Sequence, residues 1–339
     1  MLNHSYRLSS PKQIRIDIVE ENLHDDDIIV RPTYLSICAA DKRYFFGLRK
    51  PEILRKKLPM ALIHEAVGEV IYDPKGLYKK GTKVVMIPNT PVEKSDVIKE
   101  NYLRSSKFKS SGIDGFMQSF VCISRKRVIE YKKIPDRVAV LLELLSVSMN
   151  ALDHFKNYSH KNKLILGVWG CGNVGLCTAL ILKYAYKDAK IIAFDADETK
   201  LNYLPFADET YLVNEIPEDL RVDHAFECVG GPKSENAINQ IIDIINPQGT
   251  IALLGVNENN VPINTRMVLE KGLTLIGNSR SSYEDFKASI DFLENNKDAV
   301  DYLTNIISEE ILVNDVKDIT KAFEASANND YKTIMKWKI

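Results

Sequence analysis

Residues 164–175 read LILGVWGCGNVG, and residues 190–195 read KIIAFD. The first stretch begins with a run of apolar and β-branched residues and ends in Gly170-x-Gly172-x-x-Gly175. From Asn173 to about Tyr186 the apolar residues return at helical spacing. The second stretch is again β-rich and ends in Asp195, 20 residues after Gly175. This predicts strand, tight turn, helix, strand. In that setting the three glycines do different things. Gly170 permits the turn, Gly172 lets a pyrophosphate approach the backbone, and Gly175 lets helix and strand pack closely. The helix start, with Asn173 and Val174 between the last two glycines, offers unpaired N–H groups to phosphate. A G-x-G-x-x-G is weak by itself and gains weight from the surrounding unit and the distal carboxylate. Asp195 at this position accepts from a ribose 2′-hydroxyl and repels a 2′-phosphate, which favours NAD(H). Lys200 is the nearby cation able to offset it.

Outward from this unit, DHAFECVG (223–230), TIALLG (250–255) and LTLIG (273–277) read as further strands, with the helical stretch SENAINQIIDII (234–245) among them. Alternating strands and helices predict a doubly wound parallel sheet. LLELLSVSMNALDHF (141–155) has apolar residues at helical spacing. Before it the chain is β-rich: QIRIDIVE (13–20), DIIVRPTYLS (27–36), EAVGEVIYD (65–73) and TKVVMIP (82–88), with turn residues between. Residues 89–113 are polar and read as an exposed loop or lobe. After about residue 285 the pattern predicts amphipathic helices and a strand-like tail, YKTIMKWKI.

The 339 residues exceed one ordinary domain. Lys and Arg total 45 against 46 Asp and Glu, a net charge of -1, so no overall footprint points to nucleic acid or an anionic membrane. The N-terminus lacks the apolar stretch of a signal peptide, and the uncharged run 167–182 is short for a membrane span. The five cysteines are widely spaced, without a C-x-x-C, so a reducing, cytoplasmic setting is expected.

Three further segments carry candidate metal ligands. Cys38 follows a strand in SICAAD, His64 and Glu65 are adjacent in LIHEAVGEV, and Glu143 interrupts an apolar helix in LLELLSV. A carboxylate on an apolar face is costly unless paired or ligating. Zinc accepts thiolate, imidazole and carboxylate together, and catalytic zinc sites keep one position open.

These motifs together, C-x-x-D, H-E-x-x-G-x-V, E-x-L-S-V and then G-x-G-x-x-G, resemble the zinc-containing medium-chain dehydrogenases of the sorbitol dehydrogenase type. The resemblance implies a GroES-like β-rich catalytic domain (1–150), a Rossmann domain (151–285) and a return to the catalytic domain (286–339). It makes Cys38, His64 and Glu143 the zinc ligands, with Glu65 exchanging. Longer segments, among them SICAADKRYF, KLPMALIHEAVGEV and NTRMVLEKGLTLIGNSRS, are similar to ribulose-5-phosphate reductases of teichoic acid synthesis. That likeness implies reduction of D-ribulose 5-phosphate to D-ribitol 5-phosphate, mostly with NADP(H), and a homodimer that can associate with a ribitol-5-phosphate cytidylyltransferase. The chain departs from many zinc alcohol dehydrogenases at Ala40, where those carry a Ser or Thr that relays a proton. A water or a cofactor ribose hydroxyl would take that role. No cysteine occurs in 89–113, so one catalytic zinc and no structural zinc are expected. Arg43 and Arg280 are candidate phosphate ligands, and Tyr44 a candidate pocket wall. Two readings stay open beside this one: a polyol or alcohol dehydrogenase acting on an unphosphorylated sugar alcohol, and a nucleotide-binding protein without catalysis.

Overall fold

A computed structural model describes residues 1–339. The chain divides into two compact units, Met1–Glu143 with Ser281–Ile339, and Leu144–Arg280. The expected boundaries at 150 and 285 lie a few residues beyond these. One continuous helix, Leu142–Tyr158, carries the chain out of the first unit, so no loop marks that boundary.

The second unit holds a six-stranded sheet. Its order is Glu209–Leu212, Lys190–Asp195, Ile165–Trp169, His224–Glu227, Thr250–Leu253, Thr274–Gly277. Every neighbouring pair is parallel. In chain order this is 3-2-1-4-5-6, the doubly wound arrangement whose strand order reverses at Ile165–Trp169. The strands read as apolar runs because helices must cover both faces of such a sheet. Ile192, Phe194, Ala225 and Ile251 are buried with Ile238, Ile241 and Ile242 of the helix Ser234–Ile244. The edge strand Glu209–Leu212 has no clear signal in the sequence, since ETYL is short and half-exposed.

The first unit is β-rich. A seven-stranded sheet runs Val128–Glu130, Lys83–Met86, Glu65–Tyr72, Asp27–Ser36, Lys332–Trp337, Ile307–Val313, with Val121–Ser124 also paired to Asp27–Ser36. A smaller sheet joins Gln13–Glu20, Leu2–Ser10 and Met60–Ala61. The C-terminal segment completes this unit's core: Phe323 stacks on Phe45 at 4.3 Å between centroids, and Trp337 meets Tyr6 edge-on at 5.4 Å.

Three local expectations change. Leu2–Ser10 is a strand although its sequence looks polar. Asn3 and Ser5 face inward, and the Asn3 amide donates to Gln118 Oε1 at 3.0 Å and to the Phe120 carbonyl at 2.7 Å. Hydrogen bonds thus stand in for the apolar pattern. Ile307–Val313, expected to be helical, is an edge strand beside Lys332–Trp337. Residues 89–113 are not simply an exposed lobe, because Asn89, Asn101, Leu103 and Ser110 are buried.

Candidate metal and nucleotide sites

The strand Asp27–Ser36 ends just before Cys38, which caps the short helix Ala39–Phe45; the neighbouring strand opens at Glu65. Pairing of Ser36 with Glu65 therefore brings Cys38 and His64 together across 26 residues of chain. Ligand atoms of Cys38, His64 and Glu65 all lie within 4.8 Å of one another. Cys38 Sγ is 3.9 Å from His64 Nδ1.

Asp41, the last residue of C-x-x-D, organises this cluster. Its Oδ2 lies 2.9 Å from Cys38 Sγ and 3.8 Å from His64 Nδ1. Its Oδ1 accepts from the Ile63 N–H at 3.0 Å and the Ser110 hydroxyl at 2.9 Å. The Phe108 and His64 ring centroids are 5.2 Å apart, so Phe108 and Ser110 lie against this cluster. The C-x-x-D spacing alone assigns Asp41 no function, because its burial and its contacts arise only in three dimensions.

Glu65 accepts from the Lys332 ammonium at 2.6 Å through each carboxylate oxygen, and both side chains are almost wholly buried. Nothing in the tail YKTIMKWKI singles out Lys332, which reaches the site because its strand pairs with Asp27–Ser36. Glu143 does not join the 4.8 Å set. It sits buried in the first turn of Leu142–Tyr158 and acts on His64 and Glu65 electrostatically.

The electrostatics test whether a cation fits. Burial pushes the Cys38 thiol well up, and the Asp41 and Glu65 carboxylates push it further. Burial raises the Glu143 carboxyl to about 7, with His64 opposing and Glu65 adding. Burial would lower the His64 pKa, yet the carboxylates of Asp41, Glu143 and Glu65 outweigh it and raise it. The pocket therefore carries more potential negative charge than Lys332 balances. A thiol, an imidazole and a carboxylate converging there form a donor set suited to zinc.

In the second unit a cavity of about 890 Å³ opens beside the glycine turn. Gly170, Gly172, Asp195 and Lys200, four of the residues singled out in the sequence, line it; Cys228, Val229, Gly230, Lys233 and Gln240 join them without any signal in their local sequence. Gly170 has φ 88°, a left-handed value that favours glycine. A Cβ on Gly175 would lie 1.7 Å from the Gly170 carbonyl oxygen, whereas one on Gly172 would meet nothing within 4 Å. That free space above the start of the helix Asn173–Ala185 suits a pyrophosphate. Asn173, Val174 and Gly175 form the first turn of that helix and do not line the cavity wall. Asp195 does not simply await a ribose: its Oδ2 accepts from the Cys171 N–H at 2.6 Å and its Oδ1 from the Asp197 N–H at 3.0 Å. Its charge already serves the turn, and Lys200 and Lys233 share the cavity, so the expected exclusion of a 2′-phosphate weakens.

Among the candidate substrate residues, Arg43 lies on the helix Ala39–Phe45. Tyr44 is in the hydrophobic core, with the Arg49 guanidinium 5.1 Å and the Lys57 ammonium 5.9 Å from its ring centre. Arg280 is partly buried and held at φ 58°, a strained value for a residue with a side chain.

Known proteins resemble this chain along its whole length. Residues 24–136 match the alcohol dehydrogenase GroES-like domain, and residues 173–295 match the zinc-binding dehydrogenase domain. The chain is 49% identical to the ribulose-5-phosphate reductase of Bacillus spizizenii over 341 residues, covering 100% of both. It is 48% identical to ribulose-5-phosphate reductase 1 of Staphylococcus aureus over 342 residues, 99% of each. The crystal structure of S. aureus TarJ in complex with NADPH superposes with a TM-score of 0.90 at 44% identity over 100% of both chains. L-idonate 5-dehydrogenase of Escherichia coli shares the fold, with a TM-score of 0.84 at 18% identity over 99% of each chain. The chain thus belongs to the zinc-binding dehydrogenase family, on its ribulose-5-phosphate reductase branch.

Proposed function

We infer that this protein reduces D-ribulose 5-phosphate to D-ribitol 5-phosphate, with NADPH as hydride donor and one catalytic zinc. The observation that carries the reading is identity of 43–49% to proteins of that activity along the whole chain. Cys38 and His64 would hold the zinc, with Glu65 or Glu143 supplying the carboxylate. When bound, zinc supplies Lewis-acid stabilisation of the negative charge that develops on the substrate carbonyl oxygen. Asp41 lies behind both Cys38 and His64 and holds them in place, as carboxylates beside metal-ligating side chains commonly do. Lys332 donates to both Glu65 carboxylate oxygens and so holds that side chain in place beside Cys38 and His64. Gly172 leaves room for the cofactor pyrophosphate, and Lys200 with Lys233 supplies positive charge for a 2′-phosphate. Arg43 and Arg280 are the proposed contacts of the substrate 5-phosphate, since guanidinium binds phosphate in bidentate fashion. The product, a pentitol phosphate, is a fitting substrate for a cytidylyltransferase, and a homodimer is the proposed assembly.

The test is zinc analysis of the purified chain together with oxidation of NADPH and NADH on D-ribulose 5-phosphate and on D-ribulose. We expect close to one zinc per chain, preference for NADPH, and kcat/KM on the phosphorylated ketose higher by about a hundredfold or more, because an unfilled cationic subsite is a costly loss. Equal turnover of D-ribulose would favour a polyol dehydrogenase instead. Cys38→Ser should lose zinc and turnover together; full turnover without metal would refute the scheme.

A further inference from the structure

Glu227 ends the strand His224–Glu227, which neighbours the strand where the order reverses, and is 1% exposed. It does not line the nucleotide cavity, and nothing in the reaction requires a carboxylate there. Its Oε1 accepts from the Val229 N–H at 2.9 Å, the Gly230 N–H at 2.9 Å and the Ser234 hydroxyl at 3.1 Å. Its Oε2 accepts from the Gly255 N–H at 3.1 Å. The first three donors belong to the segment after His224–Glu227. The fourth belongs to the turn after the neighbouring strand Thr250–Leu253.

These two turns are further stitched together. The Gly231 N–H donates to the Val256 carbonyl at 3.0 Å, and the Asn257 amide donates to the Gly231 carbonyl at 2.6 Å. The fit is close: a Cβ on Gly255 would lie 2.4 Å from Glu227 Oε1 and 2.4 Å from the Gly230 nitrogen. Gly230 itself has φ 62°. Val229 and Gly230, both held by this carboxylate, line the nucleotide cavity.

We propose that Glu227 is a positioning residue for the nicotinamide cofactor: its carboxylate ties the 228–231 turn to the 254–257 turn and so sets the shape of the cavity wall. A carboxylate suits this place because both of its oxygens accept hydrogen bonds, and a buried polar group is tolerable when its hydrogen bonds are satisfied. A glutamine accepts on one oxygen only. It can serve Val229, Gly230 and Ser234, but then turns an N–H toward the Gly255 N–H. The Gly255 N–H keeps a second acceptor, the Glu227 carbonyl oxygen at 3.1 Å, so the fold should survive the substitution while the two turns loosen.

The inference rests on the cavity being the cofactor site, so wild-type NADPH binding is measured first, by fluorescence or calorimetry on the zinc-loaded protein. Absence of wild-type binding would remove both that reading and this one. With wild-type binding in hand, Glu227→Gln should raise the NADPH dissociation constant at least tenfold. The KM for NADPH should rise in parallel, with kcat at saturating cofactor within threefold and zinc content unchanged. A dissociation constant less than tenfold above wild type, whatever the melting temperature, overturns the proposal, because a purely structural role would move stability alone. Should Glu227→Gln fail to fold, Ser234→Ala decides. It removes one donor and leaves the carboxylate. A threefold or larger rise in dissociation constant supports the proposal, and a smaller one overturns it.

Discussion

Cys38, His64 and Glu65 stand out as residue types, but their neighbours decide what they can do. Lys332 and Glu65 form a pair 2.6 Å apart, both at or below 3% exposure. Taking two charges out of water costs much of what their attraction returns, and removing one partner leaves the other stranded. We therefore expect Lys332→Met to destabilise the metal-free protein by about 3–5 kcal/mol, measured by denaturant unfolding. The double variant Lys332→Met with Glu65→Leu should recover a large part of that loss. Additive losses would mean the two side chains do not act as a pair.

At the scale of elements, the glycine turn separates residues needed for folding from residues needed for binding. Gly175 is in contact with the turn before its helix, and an added methyl would strike the Gly170 carbonyl. Gly175→Ala should therefore lower stability by about 1–3 kcal/mol, as overpacking does, and weaken NADPH binding with it. Gly172 faces open space. Gly172→Ala should leave the unfolding of the cofactor-free protein nearly unchanged while raising the NADPH dissociation constant at least tenfold, about 1.4 kcal/mol. Parallel losses in both variants would contradict this division of labour.

For the molecule as a whole, pH dependence should carry the mark of one buried histidine. His224 Nδ1 accepts from the Thr250 N–H at 3.0 Å, and Nε2 lies 2.9 Å from the Asn162 carbonyl, which fixes the neutral ring. Burial pushes its pKa down to about 4; His160, with its ring 4.2 Å away, and Lys163 push the same way, while the Asn162 carbonyl and Asp223 oppose. The unfolded ring titrates near 6.5. Well above that value both states are neutral and the group contributes no slope. As pH falls from about 6.5 to about 4, the unfolded chain takes a proton that the folded chain refuses, so stability falls. Glu143 and His64, whose pKa values are raised, act the other way over this window, so His224→Gln should make stability fall less on acidification than in wild type, measured as melting temperature against pH. An unchanged slope would assign the acid sensitivity elsewhere.

Fold class, the nucleotide turn and the identity of the candidate ligands were legible in the sequence because each is a local matter. Period-two and helical patterns, a glycine at each tight step, and thiol, imidazole and carboxylate in short motifs are all properties of neighbouring residues. Only the tertiary structure revealed Lys332 against Glu65, Asp41 behind both Cys38 and His64, the two backbone N–H groups that donate to Asp195, and Glu227 bridging two turns. Most of those contacts join residues far apart in the chain, where a buried polar group takes its meaning from a partner that strand pairing alone brings within reach.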